Sequence, residues 1–212
     1  MSIKFAHPFT CLVAGPTGCG KTVFVRNVLK SSVDMIDLPP ERIIWCYGIY
    51  QNAYTEMMRE LPSIEFVEGI SDLESNLDPN VRNLVVIDDL MSECGKDPKI
   101  SNLFCRGSHH KNLSIFFLVQ NLFQKSSEIR TISLNSHYIV AFKNPRDKSQ
   151  ISHLGKQLYP GRTKFVQEAY EDATQFPYGY LLIDLKPNTP EEYRLRTNIF
   201  PNEYTAVYVR KT

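Results

Sequence analysis

Residues 15–22 read Gly-Pro-Thr-Gly-Cys-Gly-Lys-Thr, which has the form G-x-x-x-x-G-K-[ST] of a phosphate-binding loop. An apolar run, residues 9–14, precedes the loop, and a helix-forming run, residues 21–30, follows it. The loop is therefore predicted to lie between a buried strand and a helix N-terminus, where backbone N–H groups and the helix dipole favour a polyphosphate. A plain glycine-rich turn is the alternative. The predicted nucleotide-binding residues are Gly15, Pro16, Thr17, Gly18, Cys19, Gly20, Lys21 and Thr22.

The two last residues of the loop have separate predicted roles. Lys21 is expected to reach the β- and γ-phosphates of ATP, and the Thr22 hydroxyl to bind Mg²⁺.

The apolar run Leu84–Ile87 leads directly into Asp88 and Asp89. A carboxylate at the carboxyl end of a buried strand lies at the ligand crevice of an open α/β sheet. We therefore expect Asp88 to hold Mg²⁺, directly or through water, and Asp89 to polarise the attacking water. The alternative is a solvated Asp pair.

Another strand, Ser114–Val119, ends in Gln120-Asn121. In additional-strand ATPases a strand with a polar tip lies between the loop strand and the acidic strand, and its tip senses the γ-phosphate. Gln120 is the predicted sensor, and a turn residue with no ligand is the alternative.

The fold class predicted from these runs is α/β: a P-loop NTPase with a RecA-like additional-strand parallel sheet flanked by helices. The remaining core strands are predicted at 42–47, 64–67 and 138–142, with helices at 52–61, 71–77, 98–106 and 126–134. Beyond Phe142, helices are predicted at 146–158 and 162–174, and strands at 180–185, 193–199 and 205–210, which would extend the sheet in antiparallel fashion. We expect one P-loop domain over 1–212, with a core of about 1–145 and an extension of about 146–212.

The composition is that of an ordinary soluble chain, with 212 residues, 42% hydrophobic and 22% charged. No apolar run approaches a membrane span and residues 1–8 lack a signal-peptide pattern, so we expect a cytoplasmic or nuclear protein without a membrane contact. The five cysteines include no C-x-x-C pair and are expected to be free thiols. Cys94, Cys105, His109 and His110 are a candidate metal site, but their spacing matches no standard zinc pattern.

Charge is unevenly distributed along the chain. Residues 31–100 hold 5 Lys+Arg and 14 Asp+Glu, whereas residues 101–170 hold 10 Lys+Arg and 3 Asp+Glu. A basic stretch beside an acidic one suits a nucleic-acid contact face. Two alternative interpretations of this charge distribution have equal weight: an ordinary solvated helix surface, and charge pairing between subunits. Candidate phosphate contacts, which would not read sequence, are Lys143, Arg146, Lys148, Lys156, Arg162 and Lys164.

Several blocks together resemble the genome-packaging ATPases of the FtsK–HerA superfamily, especially the compact type encoded by polinton (Maverick) elements and related double-stranded DNA viruses. The matching blocks are 14–22, 86–91, 106–114, 118–123, 178–185 and 194–198. The resemblance implies an ATPase that forms a homo-oligomeric ring, translocates double-stranded DNA, and works with a capsid or portal protein; the virion is then a further location. One departure is Asp89, where many superfamily members carry a catalytic Glu.

Ring ATPases usually complete the site with an arginine from the neighbouring subunit, which stabilises transition-state charge. Arg106, ahead of the predicted sensor strand, is the first candidate, and Arg146, after the fifth strand, is the second. A solvated charge is the alternative for each.

Two other functions remain as alternatives. A non-motor P-loop NTPase, either a GTPase-like switch or a small-molecule kinase, is suggested by residues 144–147, Asn-Pro-Arg-Asp, which resemble a guanine-reading N-K-x-D element. Pro145 replaces its lysine, however, and no D-x-x-G follows the acidic strand. A module that binds nucleotide without hydrolysing it is the third hypothesis, and an intact set of Lys21, Thr22 and Asp88 argues against it.

Overall fold

The computed structural model describes residues 4–70, 73, 75–90, 94, 102–104, 111–123 and 127–210. The described strands are β1 (Thr10–Ala14), β2 (Arg42–Tyr47), β3 (Ile64–Glu68), β4 (Asn83–Asp88), β5 (Leu113–Val119), β6 (Tyr138–Phe142), β7 (Tyr180–Asp184), β8 (Leu195–Thr197) and β9 (Ala206–Val207). The described helices are α1 (Lys21–Lys30), α2 (Ser32–Met35), α3 (Asn52–Glu60), α4 (Ser127–Leu134), α5 (Ser149–Leu158) and α6 (Thr163–Ala173), with a 3₁₀ turn at Glu191–Tyr193.

Over the described residues, the strands form one sheet in the order β3-β2-β4-β5-β1-β6-β7-β8-β9. The six strands from β3 to β6 pair in parallel, and β7, β8 and β9 continue the sheet antiparallel. Strand β5 lies between β1 and β4, as the additional-strand interpretation predicted. The α/β fold with a parallel sheet and an antiparallel C-terminal extension is therefore confirmed.

The central strands read as continuous apolar runs because both faces of the sheet are covered. Every residue of β1, β4, β5, β6 and β7 is buried. Side chains alternate between two cores, so Leu12 packs on one face with α5 and α6, and Val13 packs on the other with α1. Because the strands β2, β4, β5, β1 and β6 pair in parallel, their carboxyl ends and the loops that follow lie at one edge of the sheet.

Some predicted boundaries were wrong. The helix predicted from Arg146 begins at Ser149, because the Asn144 side chain accepts the N–H groups of Arg146 and Asp147, and the Asp147 carboxylate accepts that of Ser149. These local bonds replace the first helical turn.

The C-terminal strands are shorter than predicted. The strand predicted from Tyr193 begins at Leu195, since a 3₁₀ turn follows Pro190, and β9 covers only two residues of 205–210. Of the helix predicted over 71–77, the described residues Leu73, Ser75 and Asn76 form turns and Leu77 is not helical, whereas 71, 72 and 74 lie outside the described residues. The helix predicted over 98–106 is described only at 102–104.

Candidate active site

The loop between β1 and α1 approaches the sheet closely. The N–H of Gly15 donates to the carbonyl of Val119, 3.1 Å away, at the end of β5. A β-carbon on Gly15 would lie 2.6 Å from Cys19 Sγ and 2.8 Å from Phe142 Cβ, so no larger residue fits. Gly20, the residue before α1, has a left-handed backbone with φ 109°. The glycines thus let the loop wrap tightly around the start of α1.

Lys21 and Thr22 form the first turn of α1. The Lys21 ammonium donates to the carbonyl oxygens of Gly15 at 2.6 Å and Pro16 at 3.1 Å, so its charge lies within the loop. The Thr22 hydroxyl donates to Asp88 Oδ2 over 3.4 Å, which joins the loop to the end of β4.

The carboxylates of Asp88 and Asp89 occupy different environments. Asp88 is buried, and burial raises its pKa, while hydrogen bonds from the Tyr54 and Thr22 hydroxyls and the Lys21 charge act in the opposite direction. Asp89 is exposed and has a left-handed backbone with φ 58°. A β-carbon on Gly48 would lie 3.0 Å from the Asp89 carbonyl oxygen, so Gly48 makes room for this turn.

A cavity of about 400 Å³ brings most of the predicted residues together. Gln120, the exposed residue after β5, lies in its wall with both aspartates. The described lining consists of Thr17, Gly18, Gly20, Lys21, Thr22, Val23, Gln51, Asp88, Asp89, Leu118, Val119, Gln120 and Tyr178. The predicted residues Lys21, Thr22, Asp88, Asp89 and Gln120 thus line one space at the carboxyl edge of the parallel strands.

The oxygens in this cavity suit a magnesium ion. A hydroxyl from Thr22 and a carboxylate from Asp88 lie side by side, and hard oxygen donors of this kind are the ligands Mg²⁺ prefers. Lys21 and the loop amides suit the phosphates of a nucleotide that carries the ion.

The remaining predicted residues are placed as follows. Arg106, the first candidate for the arginine from a neighbouring subunit, lies outside the described residues. So do Cys105, His109 and His110, three of the four residues of the candidate metal site. Among the described residues, no group of three or more His, Cys, Asp or Glu side chains is arranged to hold a metal. The described helices also include none that is both long and apolar enough for a membrane span.

Three residues at the site were not predicted. Tyr54 of α3 is fully buried and donates to Asp88 Oδ2 over 3.1 Å. Gln51 and Tyr178 line the cavity. Gln51 follows the strand next to β4 in the sheet, so the strand-end rule that selected Asp88 would have selected it too. Tyr54 lies inside a helix and Tyr178 in a distant loop, and the sequence gives no local signal for either.

Comparison with solved structures identifies the fold. The DNA-packaging ATPase B204 from Sulfolobus turreted icosahedral virus matches with a TM-score of 0.58 at 9% identity, covering 97% of this chain and 99% of that one. B204 from Sulfolobus turreted icosahedral virus 2, in complex with ATP-gammaS, matches with a TM-score of 0.57 at 13% identity, covering 89% and 96%. This chain has a P-loop ATPase fold.

A bacterial structure shares the fold as part of a longer chain. The cytoplasmic domain of the type VII secretion ATPase EccC from Thermomonospora curvata matches with a TM-score of 0.55 at 12% identity, covering 89% of this chain and 25% of that one. No protein-family model matches the sequence, and the comparison with curated proteins found no significant match.

Proposed function

We propose that this chain is an ATPase of the FtsK–HerA type that translocates double-stranded DNA and packages a viral or transposon genome. The observation that carries the proposal is the position of β5 between β1 and β4, which brings Gln120 into one cavity with Lys21 and the two aspartates. The viral B204 structures, described as genome-packaging NTPases, support it because they share the fold over nearly their whole length.

In this proposal the site residues have the roles that the sequence predicted. Lys21 binds the β- and γ-phosphates of ATP, and Thr22 with Asp88 holds Mg²⁺. The ion, when bound, neutralises phosphate charge. Gln120 senses the γ-phosphate from the end of β5.

Asp89 is the proposed general base. Its exposed carboxylate lies one residue beyond the buried Asp88, and the left-handed backbone is a conformation that non-glycine residues adopt rarely, often at functional sites. The side chain is one methylene shorter than the Glu of many superfamily members, and the turn beside Gly48 sets where that shorter carboxylate lies.

A ring of identical subunits would complete the site with an arginine. Arg106 remains the first candidate. Arg146 is exposed in the loop after β6, and its N–H is held by Asn144 Oδ1 at 3.1 Å, so the loop presents this side chain to the solvent.

The predicted DNA-contact residues are accessible to phosphates. All six candidate residues, Lys143, Arg146, Lys148, Lys156, Arg162 and Lys164, are exposed. Lys148 and Lys164 approach Glu171 and Glu168 at 3.8 Å and 3.5 Å. Such exposed ion pairs contribute little to the stability of the fold, so each lysine can readily exchange its carboxylate partner for a DNA phosphate.

The same proposal includes a capsid or portal partner and the polinton-like type. It also includes a location in the host cytoplasm, the nucleus or the virion.

The GTPase-like alternative fits the geometry less well. Asn144 Oδ1 accepts two backbone N–H groups, and the Asp147 carboxylate accepts bonds from Ser149 and Gln150. Both side chains therefore stabilise the start of α5, whereas a guanine-reading element needs them for the base.

The test is ATP hydrolysis with and without long duplex DNA, with Lys21→Ala as the blank. We expect a several-fold stimulation by duplex that is lost in the variant. Hydrolysis that is indifferent to DNA would argue against a motor acting without its partners, and a strong preference for GTP over ATP would overturn the packaging function.

A further inference from the structure

Tyr178 forms the wall of the cavity next to the phosphate-binding loop. A β-carbon on Gly20 would lie only 3.2 Å from Cδ1 of Tyr178, so the ring lies directly against the glycine that precedes α1. The ring also shares the cavity with Lys21 and Thr22. Tyr178 nevertheless remains 71% exposed. A large flat apolar face is thus presented to the same space as the phosphate-binding groups.

The backbone holds this ring in an unusual way. Tyr178 has φ 63°, a left-handed conformation that costs a non-glycine residue energy and tends to persist at functional sites. The next residue, Gly179, donates its N–H to the Phe176 carbonyl at 3.1 Å. A β-carbon on Gly179 would lie 2.5 Å from the Ala173 carbonyl oxygen, so the turn is packed too closely for any other residue. The turn therefore fixes the backbone of Tyr178, and the contact with Gly20 places its ring.

The order of strands shows which part of a nucleotide would meet this ring. Asp88 ends β4 and Gln120 follows β5, and both strands lie on one side of β1 in the sheet. Tyr178 precedes β7, on the other side of β1, beyond β6. Because β7 is antiparallel, its first residue, Tyr180, pairs with the last residue of β6, and Tyr178 reaches the carboxyl edge of the parallel strands.

A nucleotide bound in the loop has its phosphates between these two sides. The terminal phosphate would face the metal-binding and sensor residues Asp88 and Gln120, so the nucleoside would extend in the opposite direction, toward Tyr178. We propose that Tyr178 is the stacking platform for the purine base of the bound nucleotide. This proposal rests on the proposed nucleotide-binding function and adds to it the recognition of the base. Stacking on a ring is tolerant of base identity, so the platform binds adenine and guanine alike.

The test measures binding of ATP, GTP and inorganic tripolyphosphate, each with Mg²⁺, by titration calorimetry. Tyr178→Asn removes the ring and suits the left-handed backbone, in which Asn is enriched. We expect this variant to lose about 5- to 150-fold in affinity for both ATP and GTP, and to bind tripolyphosphate as the wild type does. Tyr178→Phe should retain the affinity for both nucleotides.

Phe176 provides the matched control. It lies two residues earlier in the same turn, is also 71% exposed, and is outside the cavity lining. Phe176→Ala should therefore bind all three compounds normally. The proposal is overturned if Tyr178→Asn binds ATP as tightly as the wild type, or if it loses tripolyphosphate in equal measure. It is also overturned, with the phosphate site intact, if the wild type binds ATP no better than tripolyphosphate. A wild-type chain that binds none of the three would overturn the proposed function as well.

Discussion

The Tyr54 hydroxyl donates a 3.1 Å hydrogen bond to Asp88 Oδ2, the same oxygen that the Thr22 hydroxyl approaches at 3.4 Å. Tyr54 is fully buried, and its ring packs against Trp45 and Phe66 with centroid distances of 5.8 Å and 5.0 Å. The aromatic cluster therefore fixes the hydroxyl, and the hydroxyl fixes the carboxylate. Because burial raises the pKa of Asp88 and this bond opposes the rise, Tyr54 helps to keep the carboxylate ionised.

Tyr54→Phe should weaken the use of Mg²⁺. Hydrogen bonds to charged groups contribute about 1.5–3 kcal/mol, so we expect the Mg²⁺ concentration for half-maximal hydrolysis to rise about tenfold. The pKa of Asp88 should rise further without the hydroxyl, and the acid limb of the pH–rate profile should move to higher pH. Both are measured by steady-state hydrolysis at saturating ATP. Tyr50→Phe is the control, since the Tyr50 hydroxyl bonds to Thr55 instead; equal Mg²⁺ dependence in both variants would refute a positioning role.

Asp88→Asn should abolish hydrolysis and stabilise the fold at neutral pH. The folded state raises the pKa of Asp88 by burial, so the ionised side chain is less favourable in the folded state than in the unfolded one. The free energy of unfolding of the variant therefore exceeds that of the wild type by its full amount at pH values above the pKa of Asp88 in the folded state. This difference is lost as the pH falls through that pKa toward the pKa of Asp88 in the unfolded chain. Thermal unfolding at several pH values measures this, and each kcal/mol corresponds to about 2–4 °C in Tm for a chain of this size. A variant less stable than the wild type at neutral pH would show that Asp88 stabilises the fold.

Gly48→Ala should separate hydrolysis from binding. The added β-carbon would lie 3.0 Å from the Asp89 carbonyl oxygen, so the turn that carries Asp89 must shift. A small displacement of a catalytic group lowers the rate by up to about 100-fold, while the loop of residues 15–22 is untouched. We expect a fall in kcat of about 10- to 100-fold with nearly unchanged ATP affinity, as in Asp89→Asn. An unaltered kcat would argue against Asp89 as the base.

The buried pair Arg196–Asp184 should dominate the stability of the C-terminal extension. The two side chains are 5% and 7% exposed and lie 3.0 Å apart. Removing one partner leaves a buried charge unpaired, so Arg196→Met should cost about 3–5 kcal/mol in urea unfolding. The exposed pair Lys164–Glu168 is the control, and Lys164→Ala should change stability by less than about 0.5 kcal/mol. A double variant at 196 and 184 that costs less than the sum of the single ones would confirm the coupling.

The strands of the sheet were predictable from their apolar runs, and of their order the sequence predicted the place of β5 and the antiparallel C-terminal extension. The polar tip Gln120 after an apolar run indicated a strand between β1 and β4, and the paired registers Val13↔Leu118 and Ile87↔Phe117 agree with it. The side-chain roles of Asp89 and Gln120 stay predictions, as does the single-domain organisation over 1–212.

The parts that sequence reasoning missed depend on contacts between distant elements. Tyr54 resembles any apolar residue on the inner face of a helix, and only its packing against Trp45 of β2 and Phe66 of β3 brings its hydroxyl to Asp88. Tyr178 reaches the cavity because β7 runs antiparallel to β6. The sequence predicts this antiparallel pairing but not which residues of the two strands pair with each other. Helix α5 begins later than predicted because side chains of the preceding loop accept the N–H groups of Asp147 and Ser149.

The antiparallel extension also has a consequence for how the chain is made. During synthesis residues 15–22 and β6 leave the ribosome before Tyr180–Asp184, so β6 has an unpaired edge until β7 emerges and pairs with it. An unpaired strand edge is a template for pairing with another chain. The ring of Phe24 contacts Phe142, Tyr180 and Phe200, so the side of α1 that faces this edge is covered only when Tyr180 and Phe200 are present. A nascent chain interrupted before Tyr180 thus exposes an aromatic surface beside its own phosphate-binding loop.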